Sequence, residues 1–76
     1  MGYKVESINA EEAKKEIVSF DYALIYMISE VILKRIDELE VINWKECEEA
    51  RFFSKNKEIH FFREDDTLQA VKVSDN

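Results

Sequence analysis

The sequence predicts an α+β fold: one N-terminal helix packed on an antiparallel sheet of about five strands, mostly in meander order. An early segment repeats apolar residues every three or four positions, which is typical of a helix that buries one face. The later segments are short runs rich in Ile, Val, Tyr and Phe, separated by polar clusters, as in a sheet of consecutive strands. With 76 residues, the chain has the size of a single small domain.

The helix is predicted in the segment "SINAEEAKKEIVSF". Asn9 is a good N-cap, because its side-chain oxygen can accept a hydrogen bond from a free backbone N–H of the first turn. Two glutamates precede two lysines, which is the order that the helix dipole favours. The apolar stripe that should pack on the sheet consists of Ala10, Ala13, Ile17 and Phe20.

Residues 22–37 allow two interpretations. Isoleucine recurs there at spacings of three and four, which a long helix would bury on one face. The same segment also divides into "YALIYMI" and "EVILKRI" around Ser29 and Glu30, and such β-rich runs favour strands. A helix here would be apolar nearly all round, and so small a protein could not cover it. We therefore expect a hairpin with strands near 22–28 and 31–37.

Three further strands are predicted in the C-terminal part of the chain, near residues 50–54, 58–64 and 68–74. Asn43 can cap a short helical turn before them. The turn "SKNK" places Asn56 where a left-handed conformation is needed, and Asp65 and Asp66 form the next turn through their carboxylates. Alternation in "EIHFFR" divides its side chains between two faces. We expect the helix to cover one face of the sheet and the other face to be left for a partner.

Charge and composition argue against several classes of function. Eleven basic and seventeen acidic residues give a net charge of −6, and an acidic surface repels phosphates, so we expect no direct nucleic-acid binding. No apolar run approaches the roughly 20 residues of a membrane-spanning helix. The single cysteine, Cys47, cannot form an internal disulfide, and no secretory signal is recognisable, so we expect a cytoplasmic protein.

No residue pattern predicts a catalytic, cofactor or metal site. His60 is the only histidine, so it has no second histidine with which to form a site. Acids at positions 46, 48 and 49 flank Cys47, and their charge disfavours the reactive thiolate. The single glycine, Gly2, excludes the glycine-rich loops that hold phosphates. We therefore expect neither an enzyme nor a small-molecule substrate.

Trp44, followed by "EARFF" and "EIHFFR", resembles the pattern of a small CRISPR-associated family of type III-D interference systems. In that family a strand like "YALIY" and a strand like "VILKRI" precede the tryptophan, as they do here over roughly residues 22–73. Family members are generally longer, so this chain would be a minimal member or a fragment. The resemblance implies a non-catalytic subunit or accessory protein of an RNA-guided effector complex in antiviral defence.

The function predicted from the sequence is a protein-interaction module that forms a homodimer or a tight contact with another protein. A helix of roughly 11 residues is about 16 Å long, too short to cover both faces of a sheet, and an open apolar face favours a partner. The alternative is an acidic mimic of nucleic acid that inhibits a DNA- or RNA-binding protein. The candidate interface residues are Phe62, Val71 and Val73 as apolar contacts, with Arg51 and Arg63 at the rim.

Overall fold

A computed structural model describes residues 2–39 and 42–75 and shows one short helix with a six-stranded antiparallel sheet. This architecture confirms the predicted α+β class, with one strand more than expected among the described residues. The helix and strands, in chain order, are β1 (Tyr3–Ile8), α1 (Ala10–Glu16), β2 (Tyr22–Met27), β3 (Val31–Arg35), β4 (Cys47–Phe53), β5 (Lys57–Glu64) and β6 (Thr67–Asp75). Single turns of 3₁₀-helix follow α1 and β3, at Ile17–Ser19 and Ile36–Glu38.

The strands lie in the order β1-β6-β5-β4-β2-β3, and every neighbouring pair is antiparallel. β2 and β3 form the expected hairpin, so the long-helix interpretation of residues 22–37 is wrong. β4, β5 and β6 form the expected meander. The meander order fails at two places, because β4 pairs with β2 instead of β3, and β1 pairs with β6 at the opposite edge.

β1 is the strand that the sequence analysis missed, and it places a strand before the helix. Most of its side chains are exposed, and Ile8 is its one residue that packs against the core. An edge strand with so little burial leaves only a weak alternation in "YKVESI". Pairing with β6 over its whole length, from Tyr3↔Asp75 to Ile8↔Ala70, holds β1 in the sheet.

α1 packs on one face of the sheet, the covered face, through the predicted stripe. Asn9 Oδ1 accepts a hydrogen bond from the Glu11 N–H at 2.7 Å, which confirms the N-cap. An ion pair of 3.0 Å between Glu16 Oε1 and Lys72 Nζ joins α1 to β6. The stripe residues that become buried are Ala13, Ile17 and Phe20.

The core lies between the covered face and two covering segments, α1 and the β3–β4 connection (residues 36–39 and 42–46). Trp44 of this connection packs against Phe52 and Phe61, with ring centroids 6.3 and 4.8 Å away. The two phenylalanines are fully buried and meet edge to face at 5.6 Å. Because side chains alternate along each strand, the residues between these core positions point to the opposite face of the sheet.

The two tight turns of the meander differ in backbone conformation. Asp65 and Asp66 have φ angles of 52° and 63°, so both are left-handed, as a type I′ turn requires. Asn56 was expected to be left-handed, but its φ is not positive. Its turn closes instead through a hydrogen bond of 3.0 Å from the Ser54 N–H to the Lys57 carbonyl.

The segment before β4 forms the predicted capped turn. The Lys45 N–H donates to Asn43 Oδ1 at 3.1 Å, and the Glu46 and Cys47 N–H groups donate to the Asn43 carbonyl, each at 3.1 Å. This turn positions Trp44 against the aromatic core and leads directly into β4.

Candidate binding surface on the open sheet face

The face of the sheet opposite α1 is the candidate functional site, and we call it the open face. The strand registers place its side chains in rows across the sheet. In the central row, His60 lies between Val71 and Arg51, and Arg51 lies next to Leu24. Leu24 in turn lies opposite Leu33 at the edge strand. The central row continues to Ser7 of β1 at the other edge and thus runs across the whole sheet.

Apolar side chains of the open face lie on the middle strands at Phe53 and Phe62, and those of the outer strands form two groups, one at each edge of the sheet. The first, the β1/β6 wing, consists of Tyr3, Val5, Val71 and Val73. The second, the β2/β3 wing, consists of Tyr22, Leu24, Tyr26, Val31 and Leu33. Both wings belong to the same face, because their residues alternate with the buried or covered-face residues of the same strands.

The wings are unusually exposed for apolar side chains. Seven large apolar residues among the described ones are exposed, and five of them belong to the wings, each at 44% or more. The other two, Val18 and Ile28, lie at the end of the helical segment and at the β2–β3 turn. Exposed apolar groups of this extent are uncommon on a monomeric protein, which makes this face the candidate functional site.

A polar stripe on the two middle strands separates the wings. In β4, Arg51 Nε lies 3.1 Å from Glu49 Oε1, and in β5, His60 Nε2 lies 2.7 Å from Glu58 Oε1. Arg51 and His60 are direct neighbours across the two strands. The histidine contact is short but poorly directed, so among the described residues the buried Nε2 has no well-aligned hydrogen bond. Each acid of the stripe therefore has a basic side chain beside it.

The structure brings four of the five sequence-predicted interface residues to the open face. Arg51 belongs to the polar stripe, and Phe62 lies beside it, opposite Glu49. Val71 and Val73 belong to the β1/β6 wing. Arg63 lies on the covered face instead, where its Nε donates to the Cys47 carbonyl at 2.8 Å. We therefore do not include Arg63 in the surface.

The sequence analysis missed the other exposed residues of the surface. Tyr3 and Val5 were missed with β1, although the alternation of Tyr3, Val5 and Ser7 was a usable signal. Tyr22 and Leu33 belong to strands that were predicted, but the apolar runs did not indicate which of their side chains are exposed. Their exposure follows from the position of β3 at the sheet edge, which the apolar run alone does not indicate.

The residues with nucleophilic or metal-binding chemistry do not assemble into a site. Cys47 is buried, and burial, more than the nearby Glu48 and Glu49, raises the pKa of its thiol above the usual value. Its Sγ donates to the Glu49 carbonyl at 3.3 Å. Within residues 2–39 and 42–75, no three His, Cys, Asp or Glu side chains are grouped closely enough to hold a metal ion.

A shallow apolar groove lies on the other side of the molecule, between the helical segment and the β3–β4 connection. Ile17, Ile36 and Ile42 line it, and Trp44 lies in it. Lys14 Nζ is 5.3 Å from the centre of the Trp44 ring, a cation–π contact that covers part of the groove. Among the residues that the structure describes, those that line the groove offer no convergent set of polar groups to orient a ligand.

The chain matches no family model, and no curated protein or solved structure is significantly similar to it. In the part of the chain that the structure describes, no helix has the length and apolar character needed to cross a membrane. The fold and the surface define a small α+β protein whose sheet is covered on one face only.

Proposed function

We propose that this chain is a non-catalytic protein-interaction module that binds its partner through the open face. The observation that carries the proposal is the exposure of the two apolar wings on one continuous sheet face. Exposed apolar area of this extent is unfavourable in water. Burying it against a partner stabilises the complex by roughly 25 cal/mol per Å² of apolar area. The buried, protonated Cys47 is consistent with a reducing cytoplasm as the setting.

Because the sequence motifs resemble those of the type III-D family, we propose that the partner belongs to a CRISPR effector complex. Its motif residues have two different roles in this structure. Trp44, Phe52 and Phe61 hold the core together, whereas Arg51 and Phe62 lie on the open face. The motif can thus supply both a scaffold and a binding surface. An effector subunit or accessory protein is the setting that we propose for the module.

The acidic-mimic alternative has less support. A mimic of nucleic acid needs carboxylates in a row, unopposed by basic groups. On the open face, Glu49 lies beside Arg51 and Glu58 lies beside His60. The surface is therefore better suited to an apolar protein partner with a few matched charges.

The test compares two variants that place a charge at an exposed apolar position. Leu33→Glu changes the open face, where the residue is 65% exposed, and Val18→Glu changes a position away from that face, where the residue is 78% exposed. Each variant is produced alone and with the products of the genes that neighbour its own. Native mass spectrometry measures every homomeric and heteromeric assembly. Circular dichroism verifies that both variants are folded.

We expect the wild type and Val18→Glu to form the same assemblies and Leu33→Glu to lose them. A wild-type chain that is monomeric both alone and with the neighbouring products would contradict the proposed function. So would a Leu33→Glu variant that assembles like the wild type.

A further inference from the structure

We propose that the open face binds the open face of a second copy of this chain, related by a two-fold axis parallel to the strands. The inference rests on the proposed function and names the partner. Three properties of the open face support a second copy as the occupant: its size, the position of its polar stripe on the two middle strands, and the diagonal acid–base contact that a two-fold axis between those strands produces.

The size of the face fits a dimer interface. The molecule measures 37 × 29 × 20 Å, and its thinnest dimension corresponds to the sheet with its single covering layer. An ellipse with the two longer axes has an area of about 800 Å², which is what each partner contributes to a standard interface. The open face of one copy is therefore large enough to supply a whole standard interface without help from other surfaces.

The polar stripe occupies the two middle strands of six, and each apolar wing occupies two outer strands. A two-fold axis that runs between β4 and β5, parallel to them, places β5 over β4 of the partner and β6 over its β2. This operation superposes the two middle strands on those of the partner and each pair of outer strands on the opposite pair. Within the middle strands, Glu49 comes to lie over Phe62 of the partner subunit, and Glu58 over Phe53 of the partner subunit. In the rows defined by the registers, Val71 comes to lie over Leu24 of the partner subunit, and Val73 over Tyr22 of the partner subunit.

This self-complementarity is the condition for a two-fold interface, in which the same patch serves both copies. The strands of the two sheets would run in nearly the same direction, as in sheets that pack face to face about 10 Å apart.

The same axis brings opposite charges of the two copies close together along the diagonal between neighbouring rows. Arg51 comes to lie over His60 of the partner subunit, one pleat away from Glu58 of the partner subunit, which a long arginine side chain can reach. By symmetry the contact between Arg51 and Glu58 occurs twice. Both residues lie on the middle strands, so this contact is at the centre of the interface, where charge matching decides which partner is accepted.

The experiment uses two charge-reversal variants of the full chain, Arg51→Glu and Glu58→Arg. In a homodimer of either variant, both Arg51–Glu58 contacts become contacts between like charges. When the two variants are mixed, each contact again joins an acid to a base. Analytical ultracentrifugation over a concentration series, for each variant and for the mixture, measures the dimer. Val18→Glu is the control for an added acid away from the face.

We expect the wild type and Val18→Glu to sediment at about twice the monomer mass of 9.0 kDa. Each reversal alone should weaken the dimer at least roughly 100-fold, because two like-charge contacts replace two favourable ones. The mixture should recover dimers that contain one copy of each variant, which native mass spectrometry identifies by their mass. Leu33→Glu provides a second monomeric variant if a reversal impairs folding.

A wild type that stays monomeric over the whole concentration series would overturn the inference. Folded reversal variants that dimerise like the wild type would also overturn it. So would a mixture of the two variants in which no mixed dimer forms. If the wild type is monomeric yet binds a neighbouring gene product and Leu33→Glu does not, the proposed function stands and the second copy is the wrong partner. If no assembly depends on the open face, both proposals fail.

Discussion

At the scale of single residues, Cys47 shows how the fold determines chemistry that the sequence indicates only in part. The flanking acids predicted an unreactive thiol, and they do raise its pKa. Burial at the start of β4 has the larger effect, because the thiolate would lose its hydration there. The thiol is an apolar core group in this protein.

This burial predicts a pH dependence of stability. Because the pKa of the Cys47 thiol is raised above its ordinary value of 9.0, the folded protein keeps the proton at pH values where the unfolded chain loses it. The free energy of unfolding should therefore fall as the pH rises above 9.0, by at most about 1.4 kcal/mol per pH unit. Urea unfolding of the wild type and Cys47→Ala at pH 7 to 10.5 measures the effect.

Cys47→Ala is the matched control, because alanine does not titrate and the other groups titrate alike in both proteins. The variant starts less stable at neutral pH, since it leaves a small cavity. We expect the difference between the two proteins to narrow above pH 9.0. Parallel pH profiles would show that burial does not hold the proton on the thiol.

At the scale of structural elements, the β5–β6 hairpin depends on a turn built without glycine. Asp65 and Asp66 both adopt left-handed conformations, which cost energy for any residue with a Cβ atom. The two aspartates indicated the position of this turn in the sequence, and the structure adds that both have a left-handed backbone. The backbone conformation follows from the two-residue connection between paired strands.

Asp66→Gly should raise the free energy of unfolding by about 0.5–1 kcal/mol, because glycine adopts a positive φ without steric cost. Asn56→Gly is the control in the other turn of the meander. Its φ is not positive, so glycine there only adds entropy to the unfolded chain and should lower stability by about 0.5–1 kcal/mol. Urea unfolding measures both variants, and equal shifts in the same direction would contradict the left-handed assignment at Asp66.

At the scale of the whole molecule, the two faces of the sheet should respond differently to the same substitution. Phe61 is fully buried against Trp44, whereas its neighbour Phe62 lies on the open face. Phe61→Ala should destabilise the monomer by about 3–5 kcal/mol, which approaches the whole stability of a small domain. Phe62→Ala should cost less than about 1.5 kcal/mol and should weaken self-association instead.

Chemical unfolding at low protein concentration and sedimentation at high concentration separate these two effects. Similar destabilisation by both variants would mean that Phe62 belongs to the core, and Phe62 would then have no place on a binding surface. A Phe62→Ala chain that is stable but associates less than the wild type is the expected result.

The sequence by itself determined the features that depend on neighbouring residues, namely the cap and stripe of α1 and the β4–β5–β6 meander. It favoured the hairpin of β2 and β3 over a long helix without deciding between them. Each of these features has a local signal in the sequence. Caps and turns depend on residues a few positions apart, and apolar residues repeat every two positions in a strand and every 3.6 in a helix. The alternation of side chains along a strand also predicted that Phe61 and Phe62 lie on opposite faces of the sheet. It made Phe62, Val71 and Val73 candidates for an exposed surface.

Only the tertiary structure decided which strands lie side by side and therefore which residues meet on the open face. β1 joins β6 across most of the chain, and β4 joins β2 past β3; such pairings depend on long-range packing that no local pattern encodes. Arg63 was placed on the covered face by the same alternation that put Phe62 on the open one. The symmetry of the polar stripe between two apolar wings exists only once all six strands are assembled in this order.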